Sequence, residues 1–378
     1  MSRRTLAGVA GILALMGIFG FAVYRGLGHF KRLSSSAAVA APARPADTTA
    51  QLALPGTIYL SQGGDLFALH GTDFRAVVSA DPRGNWGQPA LLPDGNLLVI
   101  ARRDASSDLY EVRPDGTVVG RLISGAATTL PDGSLENNHW VFTPHAAADG
   151  KTVWFSYDSP KSGFLVDLAI WSMPLTSPAP ATSAQPVARP QLPVSARRWT
   201  TPNDYTGGDT DPVLLPSGAL LYTKYSIDAK DKIHSQIWVT SSPRDDGHAL
   251  TAAAQDCSQP ALSPDGTHLA MVCTNGDQVS RLVEAPLLAA PAGSTPGVAP
   301  QAGPALGAQR VLVDGTLVAQ PVWSPAGDGL IYLAPAETGA NFQLWWLAGA
   351  STSGPRAPAQ VTTSLGFDAT SRPVWSAG

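Results

Sequence analysis

Two cysteines, Cys257 and Cys273, are all that this 378-residue chain contains. A thiolate metal cage and a multi-bridge disulfide scaffold are therefore both excluded. Charge is scarce too: charged residues make up 14% of the sequence and the net charge is −4. With no basic stripe to neutralise phosphates, the composition argues against nucleic acid as a partner. Helical periodicity fades after residue 33. No Gly-x-Ser-x-Gly elbow, P-loop or dinucleotide-type glycine signature occurs. The seven histidines, at 29, 70, 139, 145, 234, 248 and 268, lack the paired spacing of a dedicated metal site. What the chain does have is 37 glycines and 33 prolines, spread along its whole length between short β-rich runs. That punctuation predicts an all-β body.

The first residues are a separate object. Arg3 and Arg4 precede an uncharged run from Thr5 to Tyr24, about the length that spans a bilayer. We expect residues 1–33 to be a membrane anchor, 34–55 an Ala/Pro/Ser-rich linker, and 56–378 the folded body. A cleaved signal peptide ending at Ala38-Val39-Ala40 is the alternative; the length of the apolar run and the basic residues Arg25, Lys31 and Arg32 after it favour the uncleaved anchor. Basic residues flank both ends of the run, so orientation rests on the cysteines. The expected location is the inner (cytoplasmic) membrane, single-pass, with the body extracytoplasmic.

Both cysteines lie in CSQPALSPDGTHLAMVC, one at each end, around Ser263-Pro264-Asp265-Gly266. Pro presets φ, Asp bonds back to local backbone and Gly accepts positive φ, so a turn is expected there. If Ser263 faces Thr267 in the resulting hairpin, Cys257 faces Cys273. Directly opposed residues sit within disulfide reach, and a bond would place the body in an oxidising compartment. Two buried thiols that never bond fit the same spacing.

The hairpin belongs to a repeat. PALLPDGNLLVI begins at Pro89, PHAAADGKTVWF at Pro144, PVLLPSGALLYT at Pro212, PALSPDGTHLAMV at Pro260 and PVWSPAGDGLIYL at Pro321. PVWSAG, from Pro373, stops at the turn. A second strand follows each complete copy: DLYEV (108–112), AIWSM (169–173), QIWVT (236–240), RLVEA (281–285) and QLWWL (343–347). The partners of the truncated copy are TIYLS (57–61) and DLFAL (65–69), at the other end of the body. A weaker third element closes most units, as in RLIS (121–124), HALT (248–251), RVLV (310–313) and AQVT (359–362). One unit split between the chain ends is how a propeller shuts its ring and removes sheet edges. We therefore expect an all-β six-bladed β-propeller with an N-terminal transmembrane helix. The Pro/Ala/Gly-rich stretches 177–196 and 286–308 read as mobile insertions.

The P-x-W-S-P-D-G pattern followed by an apolar strand resembles the TolB-like (WD-like repeat) propeller family. That resemblance implies that the Pro-initiated strands are innermost and that residues just before each Pro face the central channel. The candidate ligand-binding residues are accordingly Trp86, Gln88, His139, Asp209, Asp211, Gln259, Gln320 and Arg372, with Thr143 in the same column. No catalytic set, metal site or cofactor is expected. Five tryptophans, Trp171, Trp238, Trp323, Trp345 and Trp346, fall at blade-packing positions and are expected in the core. A complete ring, no recognisable catalytic set and a long flexible tether lead us to expect a non-enzymatic module, monomeric and without nucleic acid, that binds a protein or envelope component. Alternatives are a propeller enzyme, a polysaccharide lyase or glycan hydrolase with its site at the channel mouth, and a sensor or assembly factor that binds a small ligand.

Overall fold

The computed structural model describes residues 52–127, 133, 137–159, 161, 166–175, 179–180, 192–276, 279–288, 304–352, 354 and 357–377. The expected anchor and nearly all of the expected linker lie outside these residues. Among the described residues no helix is long and apolar enough to cross a membrane.

Six antiparallel sheets make six blades, contacting one another in chain order around a ring. Blade 1 joins Val374–Ser376 to Leu54–Gln62, Asp65–Gly71 and Asp73–Val78. Blade 2 runs from Asn85–Leu91 outward through Leu97–Arg102 and Ser107–Val112 to Val118–Ile123. Blade 3 comprises Val141–Ala146, Thr152–Tyr157, Ala169–Pro174 and Arg197–Arg198. Blade 4 comprises Asp209–Leu214, Leu220–Ile227, Ile233–Thr240 and His248–Ala249. Blade 5 comprises Cys257–Leu262, His268–Cys273, Ser280–Leu288 and Arg310–Thr316, and blade 6 Ala319–Trp323, Gly329–Pro335, Phe342–Ala348 and Ala359–Gln360.

The ring closes in blade 1, where Thr57, Ile58 and Tyr59 oppose Ser376, Trp375 and Val374. The Trp375 indole is buried and donates to the Pro55 carbonyl at 2.8 Å, so the closing strand is fixed by side chain as well as ladder. Apolar clusters fill the space between neighbouring blades; Ile331 and Leu333 of blade 6, for example, pack with Ile58 and Leu60 of blade 1. Trp323 is buried, and Trp171, Trp238, Trp345 and Trp346 pack half-buried against these clusters. Parts of the two insertions are ordered pairings: Ala179–Pro180 adds an outer strand to blade 2, and Ala305–Leu306 pairs with Leu287–Leu288 in blade 5.

The cysteines are bridged, with Cα atoms 4.1 Å apart. Their facing does not come from the turn in the way the unbroken register suggests. Next to the turn, Leu262 opposes Leu269 and Ala261 opposes Ala270, one residue out of step with Ser258 opposite Val272 and Cys257 opposite Cys273. A bulge at Gln259-Pro260 absorbs the difference. Without it Cys257 would oppose Thr274, and the two thiols would point to opposite faces of the sheet.

Candidate functional site

The same bulge occurs in the innermost strand of five blades. Register shifts fall at 87/90, 142/145, 210/213, 258/261 and 319/322. In each, the residue just before the proline is left-handed: Gln88 at φ 49°, Thr143 at 46°, Asp211 at 54°, Gln259 at 56° and Gln320 at 52°. A non-glycine residue held there costs on the order of 1–3 kcal/mol. The following proline has no N–H to donate, so it suits an inner edge strand at a bulge. Strain of this kind persists only where the surroundings over-determine it.

Here the surroundings are a belt of hydrogen bonds running around the channel. Gln88 N–H donates to Ser371 Oγ at 2.7 Å, and Thr143 N–H to Gln88 Oε1 at 2.8 Å. Asp211 N–H donates to Thr143 Oγ1 at 3.4 Å, and Gln259 N–H to Thr223 Oγ1 at 3.1 Å. Gln320 N–H donates to Gln259 Oε1 at 2.7 Å, and its own amide returns to the Ala369 carbonyl at 3.2 Å. The Gln88 amide donates to the Thr370 carbonyl at 3.2 Å. Segment 369–371 and blades 2 to 5 thus each satisfy the bulged backbone of the next blade, and the same segment accepts the Gln320 amide to close the circuit.

Arg372 occupies the sixth position and breaks the pattern. It precedes Pro373 but is not left-handed. Blade 1 stands opposite blade 4 in a six-membered ring, so Arg372 reaches across the channel towards Asp211, with Nη2 3.8 Å from Oδ1. That distance is an ion pair and not a hydrogen bond. Asp211 Oδ2 instead accepts from Thr210 Oγ1 and Thr223 Oγ1, both at 3.1 Å. The Arg372 Nε and Nη2 atoms are buried and have no hydrogen-bond partner among the described residues. The group is deep within the protein, which pushes its pKa down against the pull of Asp211. Yet 23% of its side chain stays accessible, through atoms other than Nε and Nη2, and the residue lines a void.

That void is a cavity of about 390 Å³, bounded at one level by Gln88, Thr143, Asp211, Gln320 and Arg372. It extends towards the hairpin-turn ends of the inner strands, where the walls are apolar: Leu91, Leu214, Leu262 and Val322, with Pro89, Pro144, Pro212, Pro321 and Pro373. His145 is the other polar lining residue of note. Its Nε2 accepts the Leu214 N–H at 3.2 Å, so the neutral ring carries its proton on Nδ1. Burial, reinforced by the Arg372 charge, holds its pKa down at about 4. Sequence reasoning did not single out His145. The signal was present: the residue after each repeat proline is Ala90, His145, Val213, Ala261, Val322 or Val374, and only one of these is polar.

The structure does not bring all the candidate residues together. Gln88, Asp211, Gln320 and Arg372 line the cavity, whereas Gln259 serves the belt without bordering it. Trp86 is 1% exposed and packs edge-on against Tyr110, under the Arg83 guanidinium, in the core between blades 1 and 2. His139 is buried, stacked on Tyr157 and bonded to Asp158 Oδ1 at 2.7 Å. Asp209 is buried beside Lys224 Nζ at 3.3 Å, its pKa raised by burial and partly restored by that cation. These three precede the left-handed residue of each bulge and do not line the cavity. Among the described residues no group of three or more His, Cys, Asp or Glu is placed to hold a metal ion.

No protein-family model and no curated protein matches the sequence. Solved structures do. The chain is similar to TolB from Acinetobacter baumannii, with 17% identity, a TM-score of 0.56, and 85% of this chain covering 66% of that one. It is also similar to a putative TolB from Agrobacterium tumefaciens, at 14% identity and a TM-score of 0.52, covering 83% and 91% of the two chains. A gluconolactonase from Xanthomonas campestris follows at 12% identity, a TM-score of 0.44, and coverage of 85% and 90%. At these identities the likeness is one of fold: the body is a TolB-like six-bladed propeller. The chain spans 66% of the length of the Acinetobacter protein.

Proposed function

We propose that this propeller is a non-enzymatic binding module of the cell envelope. Its N-terminal segment tethers it to the inner membrane, and its channel cavity receives part of a protein or envelope component. One observation carries this reading: most of the channel polar groups are spent on ring architecture, beside a largely apolar cavity. Five of the six ring positions are locked by hydrogen bonds from blade to blade, and the cavity beside them is walled by proline, leucine and valine. Concave, largely apolar pockets with a few fixed polar groups are what binding sites generally look like. The Cys257–Cys273 bridge supports an extracytoplasmic setting, since such bonds persist where the surroundings are oxidising. The uncharged run from Thr5 to Tyr24 supports the tether.

Co-purification of the full chain from cross-linked membranes tests the reading. The expected outcome is retention in the membrane fraction and a recovered partner that is lost on Ala146→Trp, which fills the cavity from its wall without touching the belt. A partner recovered equally well with the filled cavity overturns the channel as the site. Turnover of an envelope glycan by the full chain overturns the non-enzymatic reading.

A further inference from the structure

We infer that the inner end of the channel cavity binds a carboxylate bearing an apolar tail, with the Arg372 guanidinium holding the carboxylate and the proline-lined walls taking the tail. This rests on the channel being the binding site and specifies what enters it.

Arg372 brings two buried N–H-bearing atoms, Nε and Nη2, that have no hydrogen-bond acceptor among the described residues. The one nearby carboxylate, Asp211, stands at 3.8 Å and gives its Oδ2 to two threonine hydroxyls. A buried donor left without an acceptor is unfavourable, and more so when it is charged. At the other five ring positions the backbone N–H is paired; the Gln320 Oε1 is also without a partner among the described residues, but it is an acceptor, so the unpaired donors of the ring are those of Arg372. Guanidinium presents its donors as a planar fork, which matches a carboxylate in bidentate fashion. His145, which lines the same cavity from blade 3, adds a neutral Nδ1–H and no competing positive charge at neutral pH. The chemistry at this end therefore asks for an anion.

The rest of the cavity asks for hydrocarbon. Beyond Arg372 the lining is Pro89, Pro144, Pro212, Leu214, Pro321 and Val322, and this lining offers an ion nothing to bond. A bare inorganic anion would leave that surface unused. At about 390 Å³ the cavity lies within the range of small-molecule pockets, roughly 300–1,000 Å³. A free acid with a medium-length alkyl chain carries the required chemistry, and so does the C-terminal residue of a peptide ending in leucine.

The test is equilibrium dialysis of the full chain, held soluble with amphipol, against octanoate. Acetate, octanol, acetyl-Leu-Leu and acetyl-Leu-Leu-amide serve as companion probes. Octanoate should bind once per chain, at least tenfold more tightly than acetate (tail removed) or octanol (charge removed). Each methylene added from hexanoate to octanoate should tighten binding about threefold to fourfold, equivalent to ~0.8 kcal/mol. Arg372→Ala should weaken octanoate at least tenfold, and Arg372→Lys should keep only part of the affinity because the fork is lost. Asp211→Asn should tighten octanoate by removing the competing carboxylate. Octanoate bound equally by Arg372→Ala, or octanol bound as tightly as octanoate, overturns the inference. If acetyl-Leu-Leu outcompetes both octanoate and its own amide, the carboxylate comes from a peptide end; the reverse order assigns it to a free acid. Partner capture that survives while octanoate fails to bind sinks only this inference, whereas capture indifferent to Ala146→Trp sinks the reading beneath it.

Discussion

Five blades and the sixth solve the same problem differently. In blades 2 to 6 the residue before the repeat proline sits at a left-handed bulge; in blades 2 to 5 its side chain or a neighbouring hydroxyl takes the next blade's N–H, and in blade 6 the Gln320 amide donates to the Ala369 carbonyl. In blade 1, assembled from both ends of the body, that residue is Arg372, which lies off the left-handed region and leaves donors unpaired. Five positions were shaped by the ring and one was released from it. Polar residues at equivalent repeat positions are therefore not equivalent evidence for a binding site. Where each member is spent on its neighbour, the residue is architecture. Where one member is not, it is available for something else.

The largest effect expected from breaking this comparison lies in the closing strand. Deleting residues 373–378 removes Val374–Ser376, with the Trp375 anchor and three opposed pairs. Blade 1 would then face the ring with an open edge, so the cooperative thermal transition seen by circular dichroism should disappear. A truncated chain that melts like its parent contradicts the closure.

Next comes the belt. Gln88→Val places a β-branched side chain at φ 49° and removes the acceptor of the Thr143 N–H. Strain and an orphaned donor together should cost about 2–4 kcal/mol in denaturant titration. A loss below about 0.5 kcal/mol would mean that the bulge does not need its hydrogen bond. Cutting the disulfide, by Cys257→Ser with Cys273→Ser, releases a cross-link of sequence separation 16 and should cost about 3 kcal/mol. Thiol counts that match under native and reducing, denaturing conditions would deny the bond itself.

Much of this architecture is legible in the residues, and the reason is physical. The Pro…Asp-Gly punctuation recurs because each blade needs the same turn, and repetition lets six weak signals confirm one another. The split unit follows from PVWSAG having no downstream partner while TIYLS and DLFAL have no upstream one. What cannot be read is register. Nothing in CSQPALSPDG announces that Gln259 is left-handed, because glutamine carries no preference for that region and the bulge is imposed by ring geometry. The facing of Cys257 and Cys273 is thus right for a reason that is only half local. Trp86, His139 and Asp209 show the same limit: they lie two, four and two residues before Gln88, Thr143 and Asp211, spacings that share a face in an unbroken strand, and the left-handed residue at each bulge breaks that alternation. Ser371 and Thr223 of the belt carry no motif at all; only their position across the ring gives them a role.

A smaller effect is expected from pH, through His145. Its pKa in the folded protein is about 4, against an ordinary value of 6.5. Between those values the unfolded chain holds more protons, so stability rises with pH across the window. The contribution is complete above about pH 6.5 and is lost as pH falls through about 4. At roughly 1.4 kcal/mol per pKa unit, the span is at most roughly 3.5 kcal/mol. His145→Gln keeps an acceptor for the Leu214 N–H, so its stability should vary less between pH 7 and pH 4 than that of the parent. Parallel pH profiles for the two proteins would show that this imidazole titrates normally.

The smallest effect on stability, and the sharpest separation of the sixth position from the other five, is expected at Arg372. If its guanidinium served the ring as Gln88 does, replacing it would cost several kcal/mol. Arg372→Met keeps the length and apolar volume of the stem while removing a buried charge with two unsatisfied donors. Exchanging such a group for a packed apolar one is often neutral or stabilising. The loose contact with Asp211 does not reverse that balance, because Oδ2 keeps both threonine hydroxyls and Oδ1 borders a cavity that admits water. The variant should therefore melt within about 1 kcal/mol of the parent or above it, while losing octanoate. A loss of 3 kcal/mol or more would make Arg372 a sixth member of the belt, and the cavity would then have no free cation to offer.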